Sequence, residues 1–125
     1  MNIEEYKKLL KKSEAKSKYN NKKVEFRGET FDSVKERDYY LLLLDREKKG
    51  EVRHINRQYK IEIQPAFIDR QGKKVQAITY LADFYYYDKI RKSWIVIDVK
   101  GFKTDVYKLK KKLLAYKGIY IEEVL

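Results

Sequence analysis

Apolar positions along the chain recur with two different periods. From Asp32 or Ser33, which can cap, to about Lys49, they recur at helical spacing and predict a strong helix stopped by Gly50. Between Tyr59 and Lys100 the period falls to two. Tyr59 to Ile68 alternates through Ile61 and Ile63 until Pro65 interrupts it, which predicts an edge strand or a bulge. Arg70-Gln71-Gly72-Lys73 reads as a hairpin turn, Val75 to Tyr87 as a long strand, and Asp88 to Lys92 as a second turn. Ser93 to Lys100, with Trp94-Ile95-Val96-Ile97 at its centre, has a buried-strand pattern. Thr104 or Asp105 then opens a second helix, whose stripe of Val106, Leu109, Leu113 and Leu114 is expected to fix it to the sheet. Gly118 ends that helix, and Ile119 to Val124 supplies a last strand. Ahead of these elements, Val24 to Phe31 is a short extended piece broken at Gly28. Ile3, Tyr6, Leu9 and Leu10 predict a short basic amphipathic helix, and Ser17 to Asn21 a connector. The long elements follow one another as helix, three strands, helix, strand.

Composition narrows what such a chain can do. With 125 residues there is room for one core, so the expected organisation is a basic arm over residues 1–17 and a single domain over 18–125. The formal charge is +11, and it is concentrated: residues 1–23 carry eight lysines against three glutamates, and residues 100–117 seven lysines against one aspartate. The remainder is neutral. Clustered cations of this kind suit a polyanion, because they release more counterions than scattered ones; a pair of solvated lysine faces would have the same composition. With no cysteine and one histidine, thiolate chemistry, disulfides and a His-based zinc site or triad are set aside. The first residues hold lysines and no apolar h-region, and the longest apolar run, Tyr39 to Leu44, is far short of a membrane span. A cytoplasmic protein without a membrane partner is therefore expected.

Three carboxylates lie where apolar neighbours surround them. Alternation puts Thr79, Leu81, Asp83 and Tyr85 on one face of their strand and Ile78, Tyr80, Ala82 and Phe84 on the other. On the next strand Trp94, Val96, Asp98 and Lys100 share a face, so a carboxylate and an ammonium sit side by side at the end of an apolar run. Glu36 shares a helix face with Tyr40 and Leu43, which implies half burial. Burying a carboxylate without compensation costs several kcal/mol, so such positions favour a cation, and two close together favour a metal. Taken singly, Asp98 with Lys100 reads equally as an ion pair, Asp83 as a hairpin cap, and Glu36 as a surface residue. The three in this order, with a basic helix starting four residues after Lys100, form a more specific pattern.

Glu on the first helix, Asp in a strand and Asp-x-Lys in the next strand, followed by a helix, resemble the PD-(D/E)xK nuclease superfamily. The motifs Asn21-Lys22-Lys23, Phe31-Asp32-Ser33 with Glu36, Tyr80-Leu81-Ala82-Asp83-Phe84 and Asp98-Val99-Lys100-Gly101 resemble a phage-encoded branch of it. The arrangement is also similar to phage endonuclease I and to Holliday junction resolvases. It covers residues 18–124, with Ala82 where the superfamily pattern has a proline. The resemblance implies an α/β restriction-endonuclease-like core, a mixed sheet flanked by helices in the order α-β-β-β-α-β. It implies a Mg²⁺- or Mn²⁺-dependent DNA endonuclease, acting on branched or four-way DNA as a homodimer, in the host cytoplasm if phage-encoded. Asp83, Asp98 and the Val99 carbonyl would hold the metal, Glu36 a second ion or a metal-bound water, and Lys100 the attacking water. Lys22, Lys23, Lys103, Lys108, Lys111 and Lys112 would contact DNA, and Gln64 is placed either near the metal or at an ordinary strand position. The alternatives are a non-catalytic nucleic-acid-binding accessory protein and a domain whose lysines meet an acidic protein.

Overall fold

A computed structural model of the chain describes residues 23–99 and 102–125. The described residues fall into two compact units, 23–42 in the first and those from 43 onward in the second. The expected N-terminal helix and connector, Lys22 and Lys100 lie outside the described residues.

In the first unit, β1 (Val24–Phe26) and β2 (Glu29–Phe31) pair as an antiparallel hairpin. Its two turn residues, Arg27 and Gly28, have φ of 53° and 79°, the left-handed pair that matches the twist of a two-residue hairpin. Phe31 is fully buried, and its ring lies 5.4 Å from that of Tyr40. Helix α1 (Val34–Lys48) starts in this unit and ends in the second. Ser33 opens it as expected: its hydroxyl accepts the Glu36 amide at 3.1 Å. Ser33-x-x-Glu36 has the spacing of a capping box. Glu36 is buried, more deeply than the half burial its helix face implied.

The second unit is built on a four-stranded mixed sheet. Along the chain come β3 (Val52–Gln64), a small hairpin of β4 (Phe67–Ile68) and β5 (Lys74–Val75), then β6 (Ile78–Asp88) and β7 (Ser93–Val99). Helix α2 (Asp105–Tyr116) and β8 (Ile121–Val124) complete it. The sheet order is β3-β6-β7-β8, antiparallel except for the last pair. Parallel pairing cannot be closed by a tight turn, so the chain crosses over through α2. The strand expected from Tyr59 in fact begins at Val52. Its early residues hide their period because His54 and Gln58 take left-handed φ values of 55° and 50°, and the register shifts between Arg53 and Asn56. Among the described residues no helix is long and apolar enough to cross a membrane.

The second helix corrects the expected stripe. Thr104 caps it, accepting the Tyr107 amide at 3.1 Å, but Tyr107 and Leu114 are its buried residues. They pack with Ile63, Tyr80, Ala82, Val96 and Ile121. Val106, Leu109 (57% exposed), Leu113 and Tyr116 (93% exposed) remain in solvent. Residues seven apart nearly eclipse on a helix, so Tyr107 and Leu114 anchor the same line along α2 and turn the neighbouring ridge outward.

At the other end of β6, Asp88 ties the unit together. One carboxylate oxygen accepts the amides of Ile90 (2.9 Å) and Arg91 (3.0 Å) in the β6–β7 turn, and the other takes the Arg46 guanidinium at 3.1 Å. Arg46, in the last turn of α1, also reaches Glu51 at 3.1 Å. Burial alone would raise the Asp88 pKa, but the Arg91 amide, Arg46 and the Ile90 amide outweigh it and hold the carboxyl below its ordinary range.

Stability should respond in two ways. A lowered carboxyl pKa stabilises the fold above the ordinary carboxylate pKa, and that contribution is lost as pH falls through the folded-state value. Thermal melting across pH 2 to 7 should therefore show an acid loss that is smaller in Asp88→Asn, while Asp88→Ala costs about 1–3 kcal/mol at neutral pH by leaving the Ile90 and Arg91 amides without their acceptor and Arg46 with Glu51 alone. Leu114→Ala should cost about 2–5 kcal/mol and Leu109→Ala less than about 0.5 kcal/mol in denaturant melts; equal losses would contradict the orientation of α2.

Candidate metal and phosphate site

The sheet of the second unit holds Asp83 and Asp98 on adjacent strands. The β6–β7 register ends at Phe84–Ile97, so Asp83 and Asp98 are the next residues of their strands, and Asp83 reaches across to the Val99 amide. Asp98 is buried, with 2% of its surface exposed. The β7–β8 register in turn pairs Asp98 with Glu123. Asp98 and Glu123 thus sit side by side, with Asp83 at the β6 position next to the last β6–β7 pair.

Asp83 stands at an irregularity. The β3–β6 ladder runs from Arg57–Phe84 to Tyr59–Ala82 without a Gln58–Asp83 pair, and the β6–β7 ladder begins only at Phe84. In place of a main-chain acceptor, an Asp83 carboxylate oxygen takes the Val99 amide at 2.8 Å. The break also corrects the face assignment from strict alternation. Tyr80 and Ala82 pack in the same cluster as Val96, whose register partner Tyr85 packs against that cluster too. Alternation would put Tyr80 and Tyr85 on opposite faces, so the strand changes phase between them. The Val99 group with a bond in hand is its amide, which donates to Asp83.

Helix α2 lies over these carboxylates through Tyr107, whose ring centroid is 6.1 Å from that of Tyr80. The Tyr107 hydroxyl donates to Glu123 at 3.1 Å. Burial first, then this hydrogen bond and the charges of Asp98, Glu123 and Asp83, push its pKa well above the ordinary phenol value. The hydroxyl is therefore a fixed neutral donor, and all three carboxylates act on it. Glu123 also takes Lys111 at 2.6 Å and Lys103 at 3.3 Å. Lys111 acts most strongly on the Glu123 carboxyl; with Tyr107 and Lys103 it outweighs burial and keeps the group below its ordinary range.

The lysines expected to meet DNA therefore divide. Lys103 and Lys111 are drawn onto Glu123, whereas Lys108 and Lys112 are exposed. All four line an open groove of about 380 Å³ together with Tyr107, Ala115 and Glu123. Lys23 is exposed in the first unit, where Glu36 also lies. The Gln64 side chain donates to the Gln76 carbonyl at 3.5 Å, an ordinary strand-end contact.

Among the described residues no three His, Asp or Glu side chains group so that they could hold a metal ion. A hard divalent cation such as Mg²⁺ does not need three: it takes one or two carboxylates and keeps several waters, so the oxygen-only pair Asp83 and Asp98 fits it. Tyr107 and Glu123 escaped the sequence reading. The Ile121–Glu123 alternation marks Glu123 as facing with the core, but its pairing with Asp98 depends on a parallel register that sequence does not carry.

No curated protein and no solved structure matches the chain. A family model does match, over residues 16–124, and the chain belongs to that family, described as "Protein of unknown function (DUF1064)".

Proposed function

We propose that the chain is a metal-dependent endonuclease that hydrolyses DNA phosphodiesters. The observation that carries this reading is that Asp83 of β6 takes the Val99 amide of β7, next to Asp98 in the chain and with Lys100 two residues beyond Asp98. Asp83 and Asp98 would hold Mg²⁺, with the Val99 carbonyl as a further oxygen. When bound, the cation supplies charge neutralisation of the phosphate and a lowered pKa for attacking water. Asp83, fixed by the Val99 amide, needs no reorganisation to present its carboxylate. Tyr107 stays protonated beside Asp98 and Glu123, with its proton committed to Glu123. Lys100 orients the water and offsets charge growing on the phosphoryl oxygens. Lys108 and Lys112, exposed along the groove, bind the backbone beside the cut. Paired incisions across a four-way junction need two such sites, hence a homodimer.

Lys100→Ala and Asp98→Asn should each lower the Mg²⁺-dependent nicking rate on a four-way junction by about two to three orders of magnitude, the typical worth of one placed electrostatic group. Junction binding should hold or tighten, since Asp98→Asn removes an anion that repels phosphate. Nicking by Lys100→Ala at the wild-type rate would remove Lys100 from the chemistry. Binding by all three proteins without cleavage of any branched, flapped or linear DNA would make the chain an accessory binding module.

Replacing Lys108 and Lys112 together by Ala should weaken binding to all sequences alike. The slope of log affinity against log salt should fall by up to about two units, because each phosphate that no lysine neutralises keeps about one counterion. An unchanged slope would move the phosphate footprint elsewhere on the chain.

A further inference from the structure

Three rings stand in a row across three strands of the sheet. Tyr59 of β3 stacks on Tyr85 of β6, with centroids 4.3 Å apart and planes at 19°. Tyr85 stacks on Trp94 of β7 at 4.8 Å and 18°. His54 lies nearly parallel to Trp94 at 6.0 Å, and Tyr87 meets it edge-on at 5.5 Å. Cross-strand aromatic pairs stabilise sheets by themselves, and a row closed off by protein would need no other explanation. This row is open at Trp94, which is 47% exposed. Beside it lies a slot of about 390 Å³, within the size range of small-ligand sites, whose lining includes Tyr85, Trp94, Tyr120, Arg91, Ser93 and Glu122. Tyr120 is 70% exposed.

We infer that this slot takes an unpaired nucleobase of a DNA strand, stacked on Trp94 as the next ring of the row. The inference rests on the nuclease reading only in taking DNA as the source of the base. Three features match a base rather than another flat group. The stacking surface accepts any base, because every base has a π-face. The slot also carries a polar edge: Arg91, ion-paired with Glu122, can donate to a base carbonyl or a phosphate, while Glu122 can accept an exocyclic amino group. Finally, the strand that follows the base is a polyanion, and the chain's charge is +11. Trp94 and Asp98 share a face of β7 four residues apart, a span of about 13 Å, so one strand can reach from the slot toward the carboxylates.

Trp94 is the single tryptophan, so its emission reports the slot directly. The full chain, in buffer with a chelator so that nothing is cut, is titrated with a short oligothymidylate, a duplex of equal length, and thymidine monophosphate. The expected result is saturable quenching by the oligothymidylate at concentrations about tenfold or more below those needed for the duplex. Trp94→Ala should weaken binding of a dye-labelled oligothymidylate about tenfold or more, and Trp94→Phe should keep most of the affinity. No quenching, equal quenching by the duplex, or saturation by the mononucleotide at the oligothymidylate's concentration overturns the inference. The wild-type titration decides this even if Trp94→Ala does not fold. A flat Trp94 response beside Mg²⁺-dependent cleavage that Asp98→Asn removes sinks the slot alone. Quenching as expected, with no DNA cut under any condition, supports the slot and sinks the nuclease reading.

Discussion

The parallel pairing of β8 with β7 is the constraint on which the candidate site depends. Two strands running the same way cannot be joined at one end, so the chain after Val99 has to leave the sheet and return through α2. That return sets Tyr107 over the strand ends and Glu123 beside Asp98. It also carries Lys103, Lys108, Lys111 and Lys112 to the same edge. Without the crossover, Asp83 and Asp98 would be two acids at the end of an antiparallel pair. With it, they lie under a helix whose exposed side is cationic.

Electrostatics at this edge are divided between holding and binding. Glu123 takes one phenol and two ammonium groups, and its lowered pKa reflects how fully it is engaged. Lys103 and Lys111 therefore contribute less field to solvent than the lysine count of α2 suggests, whereas Lys108 and Lys112 keep theirs. Asp88, at the opposite end of β6, is similarly engaged by Arg46 and two turn amides. Asp83 spends a carboxylate oxygen on the Val99 amide, and it does so where the β6–β7 ladder ends. A carboxylate that stands in for a main-chain acceptor is positioned by the backbone itself, which suits a group meant to present charge rather than to seal a core.

The aromatic residues show how the same chemistry is put to different uses by position. Tyr80, Tyr86 and Tyr107 are buried, while Tyr59, Tyr85 and Trp94 make a row that ends at an open slot. Strand spacing in the sequence treats all of them alike. Neighbours distant in the chain separate them: Tyr80 packs against Tyr107 of α2, whereas Tyr85 stacks between Tyr59 and Trp94.

Local signals are enough for much of the architecture. Ser33, Thr104 and Gly118 mark helix limits through hydrogen bonds and φ values that involve only neighbours in the chain, and the turn at Arg70–Lys73 is local in the same way. The apolar core of β7 and the presence of acids inside β6 and β7 are equally legible, because period-two burial follows from the pleat. What sequence could not decide depends on partners distant along the chain. Of the stripe that spacing points to on α2, only Leu114 is inward; Val106, Leu109 and Leu113 satisfy helical spacing as well as Tyr107 does, and only the seat on the sheet distinguishes them. The phase of β6 past Asp83 depends on an irregular β3 with left-handed His54 and Gln58. The role of Glu123 depends on a parallel register with β7. Sequence determined the elements and the chemistry they carry; the tertiary structure decided which of those groups meet, because side-chain pairing across strands depends on register and seating that no local preference encodes.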